Sequence, residues 1–513
     1  MTTTNNDWHA SLPFYNSQLF HDVQLAGLFK DSKTFADATP KTDWNIIIAL
    51  YEKCKSDSDF TLANFIAAYF TLPEPVVLRA ESVQRSVPAY INQMWQVLTK
   101  QPDVPGVCSL IPLKRPYIVP GGRFREIYYW DSYFTALGLM DTPHHKLVQN
   151  MLENFLDVQA TVGLIPNGNR AYYHTRSQPP ILGLMAELVL AQNDDQNLRA
   201  RCLAGMELEY EFWMQGKEQL TANTPAHRRI VRMANGAILN RYYDDDDSPR
   251  PESYSEDIKA AESLPIANRA QFYRDLRAAC ESGWDFSSRW LADPANLTSI
   301  CTTQIVPIDL NSLMYLLEKQ LALGFASINP KKSDYFANCA LERQAAINHF
   351  MWDAKQGLYR DYNVVKGLPT AAVSAAILVP LFVGLSSPQQ ADDIAKVVEQ
   401  QLLKPGGIIT TIADTEQQWD APNGWAPLQW FAVKGLRDYG YHDLAKRIME
   451  NWLTCVEHYF NTHQTLLEKY NVCDLNATAT GGEYTVQFGF GWTNGVSSQF
   501  YQLLANDNKI QSR

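Results

Sequence analysis

The sequence predicts an all-α protein, and two observations support this fold class. In segments 147–158, 181–191, 310–328 and 431–453, apolar residues recur at intervals of three and four, which is the period of an amphipathic helix. Alternating patterns typical of strands are rare and short along the chain. A chain with this pattern is built mainly from packed pairs of helices.

The composition is that of a folded protein rather than a disordered chain. Of the 513 residues, 46% are hydrophobic and 19% are charged, a balance that can bury a large core. Aromatic residues reach 12%, which is typical of sugar-binding enzymes, although aromatic core packing accounts for most such residues. The net charge of −11 would repel a polyanion, so we expect no nucleic-acid partner.

The sequence shows no sign of export, a membrane span or a metal. The N-terminal residues lack the basic and apolar regions of a secretory signal. The most apolar stretch, 371–385, is too short to span a bilayer and contains Pro380, so we interpret it as a buried helix. The eight cysteines are scattered without a CxxC pair. We therefore expect a cytoplasmic protein with reduced thiols, no membrane partner, no metal and no cofactor.

The loops between the predicted helices are the best candidates for a functional site. Ordinary connections are short and polar, whereas these loops are long and combine Gly or Pro with Trp, Asp, Glu and Arg. They span 114–134, 164–180, 241–254, 281–290, 416–427 and 481–495. The acidic run 244–247 is interpreted as a solvated loop, because it lacks the spaced oxygen ligands of a calcium site.

A glycoside hydrolase needs the residue types that these loops contain. It needs one protonated carboxyl for the leaving oxygen and one carboxylate to activate water or attack carbon. It also needs donors for sugar hydroxyls and an enclosing wall that excludes bulk water. The loops supply Asp, Glu, Arg, Asn and Trp together, which favours this class of enzyme.

The Asp, Glu, Arg and Trp residues that could serve in such a site also have ordinary structural interpretations. Asp285 and Asp131 could be helix caps, because Asp favours that position. Glu468, beside a lysine, is typical of an exposed helical position, and Arg250 with Glu252 could form a surface ion pair. The tryptophans, Trp419 and Trp425 included, are more often core residues than sugar platforms.

Two long motifs resemble the signatures of one enzyme family. PGGRFREIYYWDSY at 120–133 and QWDAPNGWAP at 418–427 are similar to the two signatures of the trehalase family, glycoside hydrolase family 37. The opening segment LFHDVQLAGLFKDSKTFADATP at 19–40 is similar to that family too, so the likeness covers nearly the whole chain. It implies an (α/α)6 toroid of six inner and six outer helices. We expect a single domain over 1–513, with residues 1–110 as a helical extension packed on it.

The resemblance also implies a reaction and the residues that perform it. The family hydrolyses α,α-trehalose to two glucose molecules with inversion, without a metal, and its motifs point to Asp285 as general acid and Glu468 as general base. An inverting pair of carboxyl groups stands about 6.5–9.5 Å apart. The family commonly has Asp where this chain has Asn471, next to the base. The matching substrate-binding positions are Arg123, Trp130, Asp131, Asn167, Arg176, Arg250, Glu252, Gly283 and, in a covering loop, Glu483.

Two other functions are compatible with this fold. The first is an inverting (α/α)6 glucosidase for another small glucoside, since fold does not fix substrate. The second is a sugar-binding protein without activity, which the presence of both Asp285 and Glu468 disfavours. We expect a monomer whose partner is the small molecule trehalose.

Overall fold

The computed structural model describes residues 8–74, 85–106, 108–192 and 194–511, and helices dominate these ranges, as predicted. The α-helices of the described residues are α1 (Leu12–Tyr15), α2 (Gln18–Leu25), α3 (Lys33–Ala36), α4 (Trp44–Cys54), α5 (Leu62–Tyr69), α6 (Val87–Leu98), α7 (Tyr129–Leu137), α8 (His145–Val162), α9 (Leu182–Leu190), α10 (Gln196–Trp213), α11 (Tyr254–Ala260), α12 (Ile266–Ser282), α13 (Ile308–Phe325), α14 (Pro330–Phe350), α15 (Val379–Phe382), α16 (Pro388–Val397), α17 (Ala426–Asp438), α18 (His442–His463) and α19 (Gly491–Gln511).

The strands are short, and they form small antiparallel pairs and triplets between the helices. They are β1 (Thr39–Pro40), β2 (Phe70–Thr71), β3 (Thr99–Lys100), β4 (Tyr117–Ile118), β5 (Ala226–His227), β6 (Ile230–Arg232), β7 (Ile238–Asn240), β8 (Ile305–Val306), β9 (Trp352–Asp353), β10 (Leu358–Tyr359), β11 (Tyr362–Asn363), β12 (Leu368–Pro369), β13 (Leu403–Lys404), β14 (Gly407–Ile408), β15 (Asn423–Trp425) and β16 (Lys469–Asn471). The pairing of β15 with β16 matters most, because it sets Trp425 opposite Lys469 beside Glu468.

The helices form an (α/α)6 toroid. The six inner helices are α7, α9, α13, α15, α17 and α19. Successive inner helices pack together, except that α9 and α13 are linked through α10, and α19 packs against α7 to close the ring. The alternating helices α6, α8, α10, α14, α16 and α18 form the outer layer. The buried apolar residues of both layers, those of α6 included, form one continuous core.

Residues 14–70 form a second, smaller aromatic core. This core packs on the barrel through Tyr128, Tyr172 and Tyr173. The segment expected to be an N-terminal extension thus contains two parts, the residues of the second core and α6, which joins the main core. The division into one domain with an extension stays a prediction.

Two expectations about helices need correction. Segment 431–453 is not one helix, because α17 ends at Asp438 and α18 begins at His442. Between them Gly440 adopts a φ of +88°, which favours glycine and turns the chain. Segment 371–385 is buried, but it contains only a 3₁₀ turn at Ala375–Leu378 followed by α15. Within the described ranges, every helix is too short or too polar to cross a membrane.

Candidate active site

Segments that precede α7, α9, α11, α17 and α19, with the turn after α12, line one cavity at one end of the ring. The cavity is partly open to solvent. Every residue that the sequence analysis assigned to the site lines this cavity: Arg123, Trp130, Asp131, Asn167, Arg176, Arg250, Glu252, Gly283, Asp285, Glu468 and Glu483. The sequence therefore predicted which residues come together, while the role of each residue stays a prediction.

Asp285 lies in the loop after α12, not at a helix N-terminus. The helix ends because Gly283 adopts a φ of +76°, and a Cβ atom there would lie 2.6 Å from the ring of Trp130. The backbone carbonyl of Asp285 accepts a hydrogen bond from the Gln418 side chain. Burial raises the pKa of Asp285 to about 6, although the charge of Arg250 opposes that shift.

Glu468 lies in the turn before β16 and is fully buried, so the interpretation as an exposed helical residue is wrong. Its backbone N–H donates to the carbonyl of Gln487 at 3.1 Å. One carboxylate oxygen, Oε2, accepts from the Tyr484 hydroxyl at 3.5 Å, while Oε1 is buried without a protein partner among the described residues. Burial raises the pKa of Glu468 to about 7, against the charge of Lys469.

A third carboxyl group belongs to the same cluster. Asp131 lies in the first turn of α7, and burial raises its pKa to about 8, with Asp285 and Glu468 adding to the shift. A raised pKa suits a general acid. Because burial raises the pKa of all three groups, it does not by itself separate the acid from the base.

Arg176 and Arg250 pair with carboxylates around the cavity, and both arginines are buried. Arg176 donates to Asn167 Oδ1 at 3.1 Å and to Glu252 Oε1 at 2.5 Å. Burial disfavours the charge on Glu252, but Arg176 and Arg250 outweigh it and hold the pKa of Glu252 below its ordinary value. Glu252 Oε2 is buried and has no partner within the described ranges. It is thus an ionised acceptor at the cavity.

Arg250 and Glu252 do not form the surface ion pair that their spacing allows. The Arg250 guanidinium binds Asp257 Oδ1 at 2.5 Å and both carboxylate oxygens of Glu483 at 2.9 and 3.1 Å. Glu483 lies in the loop before α19, so Arg250 ties that loop to the segment before α11. That the loop with Glu483 covers the site stays a prediction.

The acidic run 244–247 is not simply a solvated loop. Asp244 is fully buried and accepts from Arg176 at 3.3 Å and from Arg277 at 3.4 Å. The prediction failed because the neutralising arginines come from other segments of the chain. Asp244 therefore supports Arg176 from behind, and the guanidinium charges hold the pKa of Asp244 below its ordinary value despite its burial.

Arg123 lines the cavity, and a residue from the N-terminal segment binds its side chain. Its guanidinium donates to the two carboxylate oxygens of Asp31 at 2.8 and 2.7 Å. The central carbon of the guanidinium, Cζ, lies 4.5 Å from the ring centre of Tyr484, which belongs to the loop that carries Glu483. Asp31 was not predicted as a site residue, although it belongs to the opening segment that carries the family resemblance.

Stacked tryptophans form part of the cavity lining. Trp419 and Trp425 are parallel, with ring centres 4.0 Å apart, and Trp130 lies 6.1 Å from Trp419. All three are buried, so they serve as core and as lining at once. Sequence reasoning did not single out the further lining residues Phe124, Tyr128, Tyr173, Gln178, Ser253, Cys280, Tyr484, Phe490 and Trp492. Most of these lie in the Gly- and Pro-rich loops, which was the available signal.

The residues of this cavity suit proton transfer. Across the described residues, no group of three or more His, Cys, Asp or Glu side chains is arranged to hold a metal ion. The cavity instead combines carboxyl groups of raised pKa with arginine donors and aromatic faces. That combination can bind a polyhydroxylated ligand and exchange protons with it.

Curated relatives match nearly the whole chain. It is 45% identical over 493 residues to a periplasmic trehalase of Salmonella paratyphi B, which covers 96% of this chain and 86% of that protein. It is 45% identical over 488 residues to a periplasmic trehalase of Escherichia coli, covering 95% and 86%. These names contradict the cytoplasmic location expected from the sequence. That expectation was wrong because it used the lack of an apolar leader as evidence of a compartment.

Solved structures agree on the fold. The neutral trehalase of Saccharomyces cerevisiae superimposes with a TM-score of 0.62 at 28% identity, covering 75% of this chain and 73% of that one. A family 63 mannosylglycerate hydrolase from Thermus thermophilus gives a TM-score of 0.54 at 17% identity, covering 81% and 100%. At that identity the second likeness concerns the fold alone.

The family assignment combines these findings. The family model described as Trehalase matches residues 27–505, which include both signature motifs and every residue proposed for the site. The match also includes Asp31, which binds Arg123. The chain belongs to the trehalase family.

Proposed function

We propose that this chain hydrolyses α,α-trehalose to two glucose molecules in the cavity described above. The observation that carries the proposal is the set of buried carboxyl groups, Asp131, Asp285 and Glu468, beside arginine donors and stacked tryptophans. Membership of the trehalase family and the 45% identity to periplasmic trehalases support the substrate. That the chain acts as a monomer, and that it binds neither nucleic acid nor a membrane, stays a prediction.

Binding of the sugar would use donors and acceptors that the protein already holds in place. Arg123, Arg176 and Arg250 are fixed by their carboxylate partners, so little conformational entropy is lost when they bind hydroxyl groups. Glu252 Oε2 and Glu468 Oε1 are buried acceptors that lack protein partners within the described part of the chain. Hydroxyl groups or a water molecule would satisfy them, which removes the cost of leaving them unpaired.

The chemical step is proposed as general acid and base catalysis with inversion. Asp285 gives its proton to the glycosidic oxygen as the bond between that oxygen and the anomeric carbon breaks. Glu468 removes a proton from a water molecule as the water oxygen attacks that carbon from the opposite face. Trehalose joins two α-anomeric carbons, so one β-glucose and one α-glucose leave the site first.

The test of the proposed function is glucose release from trehalose by the purified protein in the presence of EDTA. We expect turnover to continue with the chelator, since the proposed mechanism uses carboxyl groups alone. Activity that disappears with EDTA and returns with a divalent ion would refute the metal-free mechanism. Maltose and sucrose, assayed in parallel, test the alternative of another small glucoside, and faster hydrolysis of either would favour that alternative.

A second substrate separates the acid from the base, which their raised pKa values do not. Fluoride leaves α-glucosyl fluoride with little help from an acid, whereas trehalose needs protonation of its bridging oxygen. We expect Asp285→Asn to retain activity on the fluoride but not on trehalose, and Glu468→Gln to lose both. The reverse pattern would exchange the two roles.

A further inference from the structure

Lys469 is a buried lysine next to Glu468. Its side chain is 0% exposed, and it is not among the residues that line the cavity. It lies in β16, whose pairing with β15 sets its backbone opposite Trp425. The ammonium group lies 5.3 Å from the centre of the Trp425 ring. A lysine in such a place is costly unless its charge and donors are used.

The donors of Lys469 connect separate segments of the site. Nζ donates to the side-chain oxygen of Gln418 at 2.9 Å and to the backbone carbonyl of Gly481 at 2.9 Å. Gln418 in turn donates through its amide nitrogen to the backbone carbonyl of Asp285. One ammonium group therefore joins the loop of Asp285, the loop before Glu483 and the segment of Glu468.

The charge of Lys469 is not neutralised by its hydrogen-bond acceptors. Both acceptors are neutral oxygens, so the field of the ammonium acts on the carboxyl groups nearby, Glu468 and Asp285. Lys469 is the strongest influence that lowers the pKa of Glu468, in opposition to burial. Arg123 also lowers the pKa of Glu468, while Asp285 raises it. Asp131 and Tyr484 face the same point, and the Tyr484 hydroxyl donates to Glu468 Oε2.

We propose that Lys469 is a positioning residue that joins the segments of Asp285, Glu468 and the loop of Glu483, and that its buried ammonium group acts electrostatically on Glu468, the preceding residue. The inference rests on the proposed function, in which Glu468 is the base. It assigns Lys469 no contact with substrate, because its side chain lies behind the cavity lining.

Two substitutions separate the charge from the hydrogen bonds. Lys469→Met keeps an unbranched side chain of similar length but removes the charge and every donor. Lys469→Gln keeps two donors on a shorter side chain and removes the charge. Arg343→Met is the matched control, because Arg343 is a buried cation paired with Glu318 between α13 and α14.

The experiment measures kcat and KM for trehalose against pH in these variants and in the wild type. For Lys469→Met and Lys469→Gln we expect the acidic limb of kcat/KM to move to higher pH by about one unit, because an opposite charge beside Glu468 is lost. For Lys469→Met we also expect kcat to fall about 100-fold with little change in KM. For Arg343→Met we expect a lower Tm with the acidic limb of the wild type.

The outcomes decide between positioning and mere stability. An acidic limb at the wild-type pH in either folded variant of Lys469 would overturn the inference, and if Lys469→Met does not fold, Lys469→Gln alone decides. A limb that moves equally in Arg343→Met would also overturn it, since the shift would then reflect general destabilisation. Wild-type activity in Glu468→Gln would instead refute the proposed function, so the two failures are distinguishable.

Discussion

Two groups of buried residues at the cavity shift the pKa of carboxyl groups in opposite directions. In the arginine group, defined as Arg176, Arg250, Glu252 and Asp244, guanidinium charges hold the pKa of both acids below their ordinary values. Beside the tryptophan group, defined as Trp130, Trp419, Trp425 and Trp492, lie Asp131, Asp285 and Glu468. Among the described residues none of these three side chains accepts a hydrogen bond from an arginine, and burial raises the pKa of each.

The difference shows how one protein gives the same residue type two tasks. A buried carboxylate paired with arginine stays ionised and acts as a fixed acceptor or support. A buried carboxyl without such a partner titrates near neutral pH, where it can give or take a proton. Glu483 departs from this division. It accepts two hydrogen bonds from Arg250, yet burial, together with the charges of Asp257 and Asp285, raises its pKa to about 7.

The largest effect is expected from the carboxyl groups beside the tryptophan group. Asp285→Asn and Glu468→Gln should each lower kcat for trehalose by about 1000-fold or more, because an amide cannot transfer the proton. Trehalose binding, measured by calorimetry, should stay detectable in both variants. Asp59→Asn, at an exposed position outside the cavity lining, is the control. A variant of either residue with kcat within tenfold of the wild type would remove that residue from the mechanism.

A smaller loss is expected in the arginines. Arg123→Ala and Arg250→Ala should each lower kcat/KM by about 100-fold, because a methyl group cannot replace a guanidinium fork. Only Arg250→Ala should lower Tm clearly, since it leaves buried Asp257 without its ion-pair partner, whereas Asp31, the partner of Arg123, is 32% exposed. Kinetics and thermal unfolding of both variants check this, and equal losses of Tm would contradict it.

The ion pair between Asp31 and Arg123 should contribute less to kcat/KM than either arginine does. Asp31→Asn removes the charge that holds the Arg123 guanidinium, and we expect kcat/KM to fall about tenfold, mainly through KM. The double variant with Arg123→Ala should be no worse than Arg123→Ala alone, because the two residues act as one unit. Additive losses would mean that Asp31 acts on the enzyme by another route.

The smallest effect concerns stability. The pKa of Asp131 is raised to about 8 in the folded protein, so the folded state binds this proton more tightly than the unfolded chain. As pH rises from about 4 to 8, the unfolded chain releases this proton while the folded state keeps it, so the free energy of unfolding decreases over that range. Asp131→Asn should gain Tm relative to the wild type across that window, as calorimetry would record. Asp59→Asn should show no such trend, and a parallel trend in the two variants would contradict the assignment.

The sequence predicted much of this structure because the relevant signals are local. Helical periodicity is encoded within one segment, so α8 contains the stretch 147–158, and α9 and α13 cover most of 181–191 and 310–328. The cavity residues were found because they lie in motifs shared with the trehalase family. The burial of Asp244 and the contact between Asp31 and Arg123 were missed, because each depends on residues far apart in the chain. Gly440, which interrupts the helical pattern of 431–453, could have predicted the turn between α17 and α18 from the sequence.

The central claim is that Asp285 and Glu468 perform an inverting hydrolysis in this cavity. Proton NMR of the glucose released in the first seconds of trehalose hydrolysis tests it most directly, because the two anomers give separate signals before mutarotation mixes them. The account predicts equal amounts of α-glucose and β-glucose at the earliest times. Release of α-glucose alone would mean retention of configuration and would contradict the assignment of the two carboxyl groups.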